Sequence, residues 1–111
     1  MAEKPILWLG SSRADLRGFP DDARQAAGHQ LSRVQYGEAP ADWKPLPTIG
    51  PGVMELRIRT GLAHRVIYVA KFAEAIYVLH AFEKRSPRIP PVDLAMAKKR
   101  WSDLLRLRRD A

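Results

Sequence analysis

The sequence predicts an α+β fold in which helices pack on an antiparallel sheet. Three observations carry this. Helix-like segments fill the chain before Gly37 and again after Pro91, so the helices are segregated from the strands. Between them, Gly52 to Arg88 alternates apolar and basic residues in three strand-like runs. The connections between these runs are short, whereas a parallel pair needs a crossover of a dozen residues or more, so consecutive strands are antiparallel neighbours.

Taken in order, Pro5 to Leu9 reads as a short apolar strand stopped at Gly10. Ser11-Ser12-Arg13-Ala14-Asp15 supplies a capping serine, with an acid three residues after Ser12 in capping-box position, and a short helix runs through Leu16. Phe19-Pro20-Asp21-Asp22 restarts the chain, because proline suits a first helical turn and aspartate its positive dipole end. Ala23, Ala27, Leu31 and Val34 recur at helical spacing up to Gly37, giving an amphipathic helix of about four turns. From Gly37 to Gly52, Pro40, Pro45, Pro47, Gly50 and Pro51 forbid regular structure and predict a long connection anchored by Trp43. Such a loop suits either a functional role or a plain surface crossover.

The meander follows. Met54, Leu56 and Ile58 are expected to pack inward while Glu55, Arg57 and Arg59 face out together. Thr60-Gly61 turns the chain into His64 to Ala70, and Lys71-Phe72-Ala73-Glu74 connects to the run Ala75 to Phe82. After Pro87, Pro90 and Pro91, a last helix from about Val92 sets Leu94, Ala97, Trp101, Leu104 and Leu105 on one stripe. Lys98, Lys99, Arg100, Arg106, Arg108 and Arg109 lie around that stripe. The predicted order is β-α-α-β-β-β-α, with no internal repeat.

A length of 111 residues is read as a single domain spanning 1–111. Hydrophobic residues at 46% and charged residues at 28% are ordinary for a globular protein. No apolar run approaches the roughly 18 to 20 residues of a membrane span, so no membrane partner is expected. Met1 to Gly10 has a short apolar core and no cleavage pattern, so a cytoplasmic rather than secreted protein is expected. The absence of cysteine removes disulfides, thiolate catalysis and cysteine-ligated zinc. His29, His64 and His80 are scattered without ligand spacing, so no metal and no cofactor are expected. The pI of about 10.3 favours an anionic partner, nucleic acid first, although basic residues also keep small proteins soluble. Residues 1–52 carry six basic and six acidic side chains, and residues 53–111 thirteen and six, so the excess lies wholly in the second half.

Arg57, Arg59 and Arg65 on adjacent strands form a candidate phosphate clamp, since guanidinium groups bind phosphate oxygens through paired hydrogen bonds. Glu55 could supply the carboxylate that keeps them together. Cross-strand Glu–Arg pairs on a solvated sheet face would look the same, contributing a few tenths to about 1 kcal/mol each. His80, Phe82 and Lys84 share one parity at the end of the last strand, and Lys84-Arg85 runs into a loop. An imidazole suits proton transfer, an aromatic ring can stack a base and a lysine can neutralise an oxyanion. A packed histidine and a core phenylalanine fit the same residues.

Gly52-Val53-Met54-Glu55-Leu56-Arg57, Arg65-Val66-Ile67-Tyr68, Val78-Leu79-His80-Ala81-Phe82-Glu83-Lys84-Arg85-Ser86 and Asp93-Leu94-Ala95-Met96-Ala97-Lys98-Lys99-Arg100 together resemble the phage-derived, HigB-like branch of the RelE/ParE toxin superfamily. The resemblance covers nearly the whole chain from Ile6. It implies a RelE-like, microbial-ribonuclease-like fold and a toxin encoded beside a HigA-like helix-turn-helix antitoxin. It also implies a metal-independent endoribonuclease that cuts mRNA on the ribosome by attack of the 2′-hydroxyl on the neighbouring phosphate. On that reading Arg57 and Arg65 hold the scissile phosphate and Lys84 or His80 handles a proton. Arg59 and Arg85 bind RNA, Phe82 supports a base or the pocket wall, and Lys98 and Lys99 face ribosomal RNA. Some relatives carry a catalytic tyrosine near the C-terminus; none follows Tyr77 here. An acidic or amphipathic antitoxin segment over the basic face is the expected neutraliser. Two other readings use the same residues: a ParE-type toxin that inhibits DNA gyrase without nuclease chemistry, and a non-catalytic nucleic-acid-binding accessory protein.

Overall fold

A computed structural model describes residues 3–110. The elements are β1 (Ile6–Trp8), α1 (Ser12–Arg17), α2 (Asp21–Gln35), β2 (Trp43–Pro45), β3 (Val53–Arg59), β4 (Ala63–Val69), β5 (Ile76–Glu83) and α3 (Pro91–Asp110). One five-stranded sheet runs β1-β5-β4-β3-β2, with the three helices packed against it. The predicted α+β layout holds, and the meander β3-β4-β5 is antiparallel throughout. β1 pairs in parallel with β5, which the intervening length of chain permits.

The sheet separates two cores. Leu16, Phe19 and the predicted stripe Ala23, Ala27, Leu31 and Val34 cover one face, against Leu56, Ile58, Val66, Tyr68 and Val78. Ala97, Trp101 and Leu104 of α3, with Leu46 and Ile49, cover the other against Val53, Ile67, Val69, Tyr77, Leu79 and Phe82. Helix α2 ends as expected. Gly37 takes φ +81°, its N–H donates to the Val34 carbonyl at 3.0 Å and the Glu38 N–H to Arg33 at 2.9 Å. These two bonds form a Schellman motif, which a left-handed glycine admits without strain.

Several expectations change. Ser11, not Ser12, precedes α1, and its hydroxyl donates to the Asp15 carboxylate at 2.8 Å. Ser12 is buried and donates to the Val78 carbonyl at 3.1 Å, tying α1 to β5. The proline-rich connection contains β2, a three-residue edge strand in which Pro45 is tolerated at the sheet margin. Trp43 does not anchor the connection in the core; it is 42% exposed and lines a groove with Met54 and Tyr68. Met54 itself is only half-buried, and Leu105 of the α3 stripe is exposed. Glu55 does not face solvent but is fully buried, with the side chains of Arg57 and Arg65 paired to its carboxylate. Arg100, expected beside the α3 stripe, is buried as well.

Residue alternation along β5 is broken once. Ile67 lies across from His80 and Tyr68 across from Val78, so Leu79 is an extra residue. This bulge sets His80 and Phe82 on the α3 face of the sheet, and Phe82 directly across from Arg65.

Candidate nucleic-acid interface

The predicted arginines do converge. Arg57 and Arg65 are cross-strand partners on β3 and β4, and Glu55 lies two residues before Arg57 on the same face. The Arg57 Nε donates to Glu55 Oε1 at 3.2 Å, and the Arg65 Nε lies 3.6 Å from the same oxygen. A single buried carboxylate therefore draws two guanidiniums together. A second carboxylate arrives from the segment before β2. The Arg57 N–H donates to the Asp42 carbonyl at 2.9 Å, which brings the Asp42 side chain 3.8 Å from Arg57 and 3.3 Å from Arg59.

This cluster is not hydrogen-bond saturated. Glu55 Oε2 and Arg65 Nε are buried without a hydrogen-bond partner among the described residues. Arg65 does place one terminal nitrogen on the His64 carbonyl at 3.0 Å. Burial lowers the Arg65 pKa from its ordinary value, with Glu55 opposing the shift and the charges of Arg57 and Arg59 adding to it. Arginine stays protonated through such a shift, so the group remains a cation short of acceptors.

Lys84 belongs to the same face. Its backbone N–H donates to the Ala63 carbonyl at 2.9 Å, extending the β4–β5 ladder past Glu83. Its ammonium pKa is lowered by burial and then by the Arg65 charge, with Lys44 and Arg57 adding and Glu55 opposing. A lysine depressed in this way gives up a proton more readily than a free one, which suits proton transfer. Lys44 was not singled out from sequence, because its segment reads as irregular loop. In β2 it lies directly across from Glu55 and adds a further cation to the face.

The other expected residues are more dispersed. Phe82 is buried and stacks on His80, with centroids 5.3 Å apart and planes 19° apart, so of its two implied roles it fits the pocket wall. His80 is 7% exposed and is engaged with Asp93 and Arg100. Arg59 and Arg85 are exposed, Arg59 paired with Asp42 and Arg85 with Glu83 at 2.7 Å. Lys98 and Lys99 are exposed on α3, away from the clamp in sequence and element, with Lys99 paired to Asp103 at 3.0 Å. Tyr77, the last tyrosine, donates to Glu74 at 2.8 Å. Among the described residues no helix is long and apolar enough to cross a membrane, and no group of three or more His, Cys, Asp or Glu side chains could hold a metal ion.

A family model described as phage derived protein Gp49-like (DUF891) matches residues 14–102. The chain belongs to this family. It is a RelE-like toxin family, associated with the toxins of toxin–antitoxin systems, so an antitoxin is the partner the family suggests. The match runs from α1 into α3 and includes every residue of the arginine cluster. No curated protein matches the chain.

Proposed function

We propose that this Gp49-like toxin is a HigB-like, ribosome-dependent mRNA endonuclease. One observation carries the reading: three arginines gathered around Asp42 and a buried, half-satisfied Glu55, with Lys84 and Lys44 on the same face.

Cleavage by 2′-hydroxyl attack makes three demands. The 2′-oxygen must lose a proton, the crowded phosphate must be stabilised and the departing 5′-oxygen must gain a proton. Arg57 and Arg65 supply fixed charge for the phosphate, and their low-dielectric setting strengthens each contact. Arg59, the most exposed of the three, holds a flanking phosphate. Lys84, with its lowered pKa, delivers the proton to the 5′-oxygen. Alignment of the 2′-hydroxyl is left to the ribosome, which accounts for a toxin without a C-terminal tyrosine. The 2′-hydroxyl proton passes to water and Lys84 is reprotonated from solvent, so the products are a 2′,3′-cyclic phosphate and a 5′-hydroxyl, with no net change in protons and no metal needed. The natural neutraliser is a HigA-like helix-turn-helix antitoxin whose carboxylates occupy the arginines in place of RNA.

Purified ribosomes programmed with a defined mRNA test this directly. Translation-dependent cuts ending in cyclic phosphate support it. Intact mRNA together with accumulated gyrase–DNA cleavage complexes would assign the chain to the ParE type instead.

A further inference from the structure

Arg100 lies on α3, yet its guanidinium reaches across the sheet margin to α1. One terminal nitrogen donates to the Leu79 carbonyl at 3.0 Å and lies 3.2 Å from His80 Nδ1. The other donates to Ser11 Oγ at 2.9 Å, and Ser11 donates onward to Asp15 at 2.8 Å. Gly10 makes room for it: a Cβ there would come within 2.6 Å of Arg100 Nε. On the far side of the ring, His80 Nε2 is 2.6 Å from Asp93 Oδ1.

These contacts decide the tautomer. A guanidinium has donors only, so His80 Nδ1 must accept, and the ring proton sits on Nε2, which donates a hydrogen bond to the Asp93 carboxylate. Both nitrogens are committed within the protein. A proton on Nδ1 would confront a guanidinium N–H. The Leu79 carbonyl held by Arg100 is the bulge residue that turns His80 onto the α3 face, and His80 in turn stacks on Phe82, the cross-strand neighbour of Arg65.

We propose that Arg100 and Asp93 are positioning residues, which hold His80 as its neutral Nε2–H tautomer against Phe82, so that His80 braces the wall of the arginine face and exchanges no proton with RNA. The inference deepens the nuclease reading and rests on it for the rate measurement below; the tautomer measurement stands without it.

Long-range ¹H–¹⁵N NMR of the histidine rings in the full chain, with His80 assigned through His80→Gln, reads the tautomer. The expected result is an unprotonated Nδ1 and a protonated Nε2 at neutral pH, with Nδ1–H signal appearing in Arg100→Met. An Nδ1–H or doubly protonated ring in the wild type would overturn the proposal. The ribosome cleavage assay then separates positioning from proton transfer. Asp93→Ala should lose about 10²-fold through misplacement of the wall. Asp93→Asn, whose amide oxygen accepts the same N–H, should recover most of that loss. An Asp–His proton-transfer pair predicts instead that Asn stays down by about 10⁴-fold, as in a hydrolytic triad. If Asp93→Ala does not fold, the wild-type tautomer and the Asn variant still decide. A wild type inactive on ribosomes with the expected tautomer would refute the nuclease and leave the Arg100–His80–Asp93 lock standing.

Discussion

Two arginine clusters lie on the α3 face of the sheet, and they differ in how completely they are satisfied. Around Arg100, each polar contact meets a matched partner: a carbonyl, an imidazole nitrogen and a hydroxyl receive the guanidinium, and Asp93 receives the imidazole. Around Arg65, Glu55 Oε2 and Arg65 Nε remain unpartnered, and the Glu55 contact stretches to 3.6 Å. Both arginines are equally buried at 6% exposure, so burial alone does not separate structure from function. Completeness of hydrogen bonding distinguishes the two clusters. A saturated cluster holds elements together, whereas Arg57, Arg59 and Arg65 share two carboxylates and keep an excess of positive charge for the proposed phosphate.

The largest expected effect breaks the open cluster. Arg57→Ala should reduce ribosome-dependent mRNA cleavage by about 10²- to 10³-fold, the cost of losing one preorganised donor at a developing charge. Gel-resolved cleavage rates check this, and a change of less than about threefold would remove Arg57 from the site.

Glu55→Gln comes next. Leaving a buried guanidinium without its carboxylate should cost about 3 kcal/mol in denaturant unfolding. Added sulfate should return part of that stability, because an anion can take the place of the lost charge between Arg57 and Arg65. Arg100→Met should cost about 2 kcal/mol, from hydrogen bonds made by a charged donor. Sulfate should leave that deficit unchanged. Equal rescue of both variants would erase the distinction between the clusters.

How far the sequence carried this comparison depended on the rule each residue obeyed. The stripe of α2, the Gly37 stop and the antiparallel meander follow local periodicity and short connections, so they were legible. The convergence of Arg57, Arg59 and Arg65 followed from adjacent strands. Strand parity places Glu55 on the correct face but not at the correct depth, because alternation says which way a residue points and not which neighbouring side chains enclose it. It also could not foresee the bulge at Leu79, whose carbonyl is held by Arg100 from α3. Arg100 reads as one more surface cation unless its distant partners, Ser11 and His80, are known. Lys44 was hidden for the opposite reason: prolines around it masked a three-residue strand that pairs at the sheet edge.

The smallest effect comes from a third, exposed pair that serves as a contrast. Arg108 donates to both oxygens of Glu74, at 2.8 and 3.1 Å, and holds its pKa down from the ordinary 4.5 to about 2. A carboxylate depressed on folding adds stability that is fully present above about pH 4.5 and is lost as pH falls through about 2. Glu74→Gln should therefore flatten acid unfolding only in that window and leave mRNA cleavage at neutral pH unaltered. Being exposed, the pair should also weaken with added salt.

A nuclease of the proposed kind must bind phosphate at Arg57, Arg59 and Arg65. A 2′-deoxy oligonucleotide cannot be cut by 2′-hydroxyl attack, so it can be titrated into ¹⁵N-labelled protein while arginine Nε–H and lysine signals are followed by NMR. The signals of Arg57, Arg59, Arg65 and Lys84 should shift together and saturably, with Arg100 unmoved. Saturable binding that shifts Arg100, or that leaves the Arg57–Arg65 pair untouched, would contradict it.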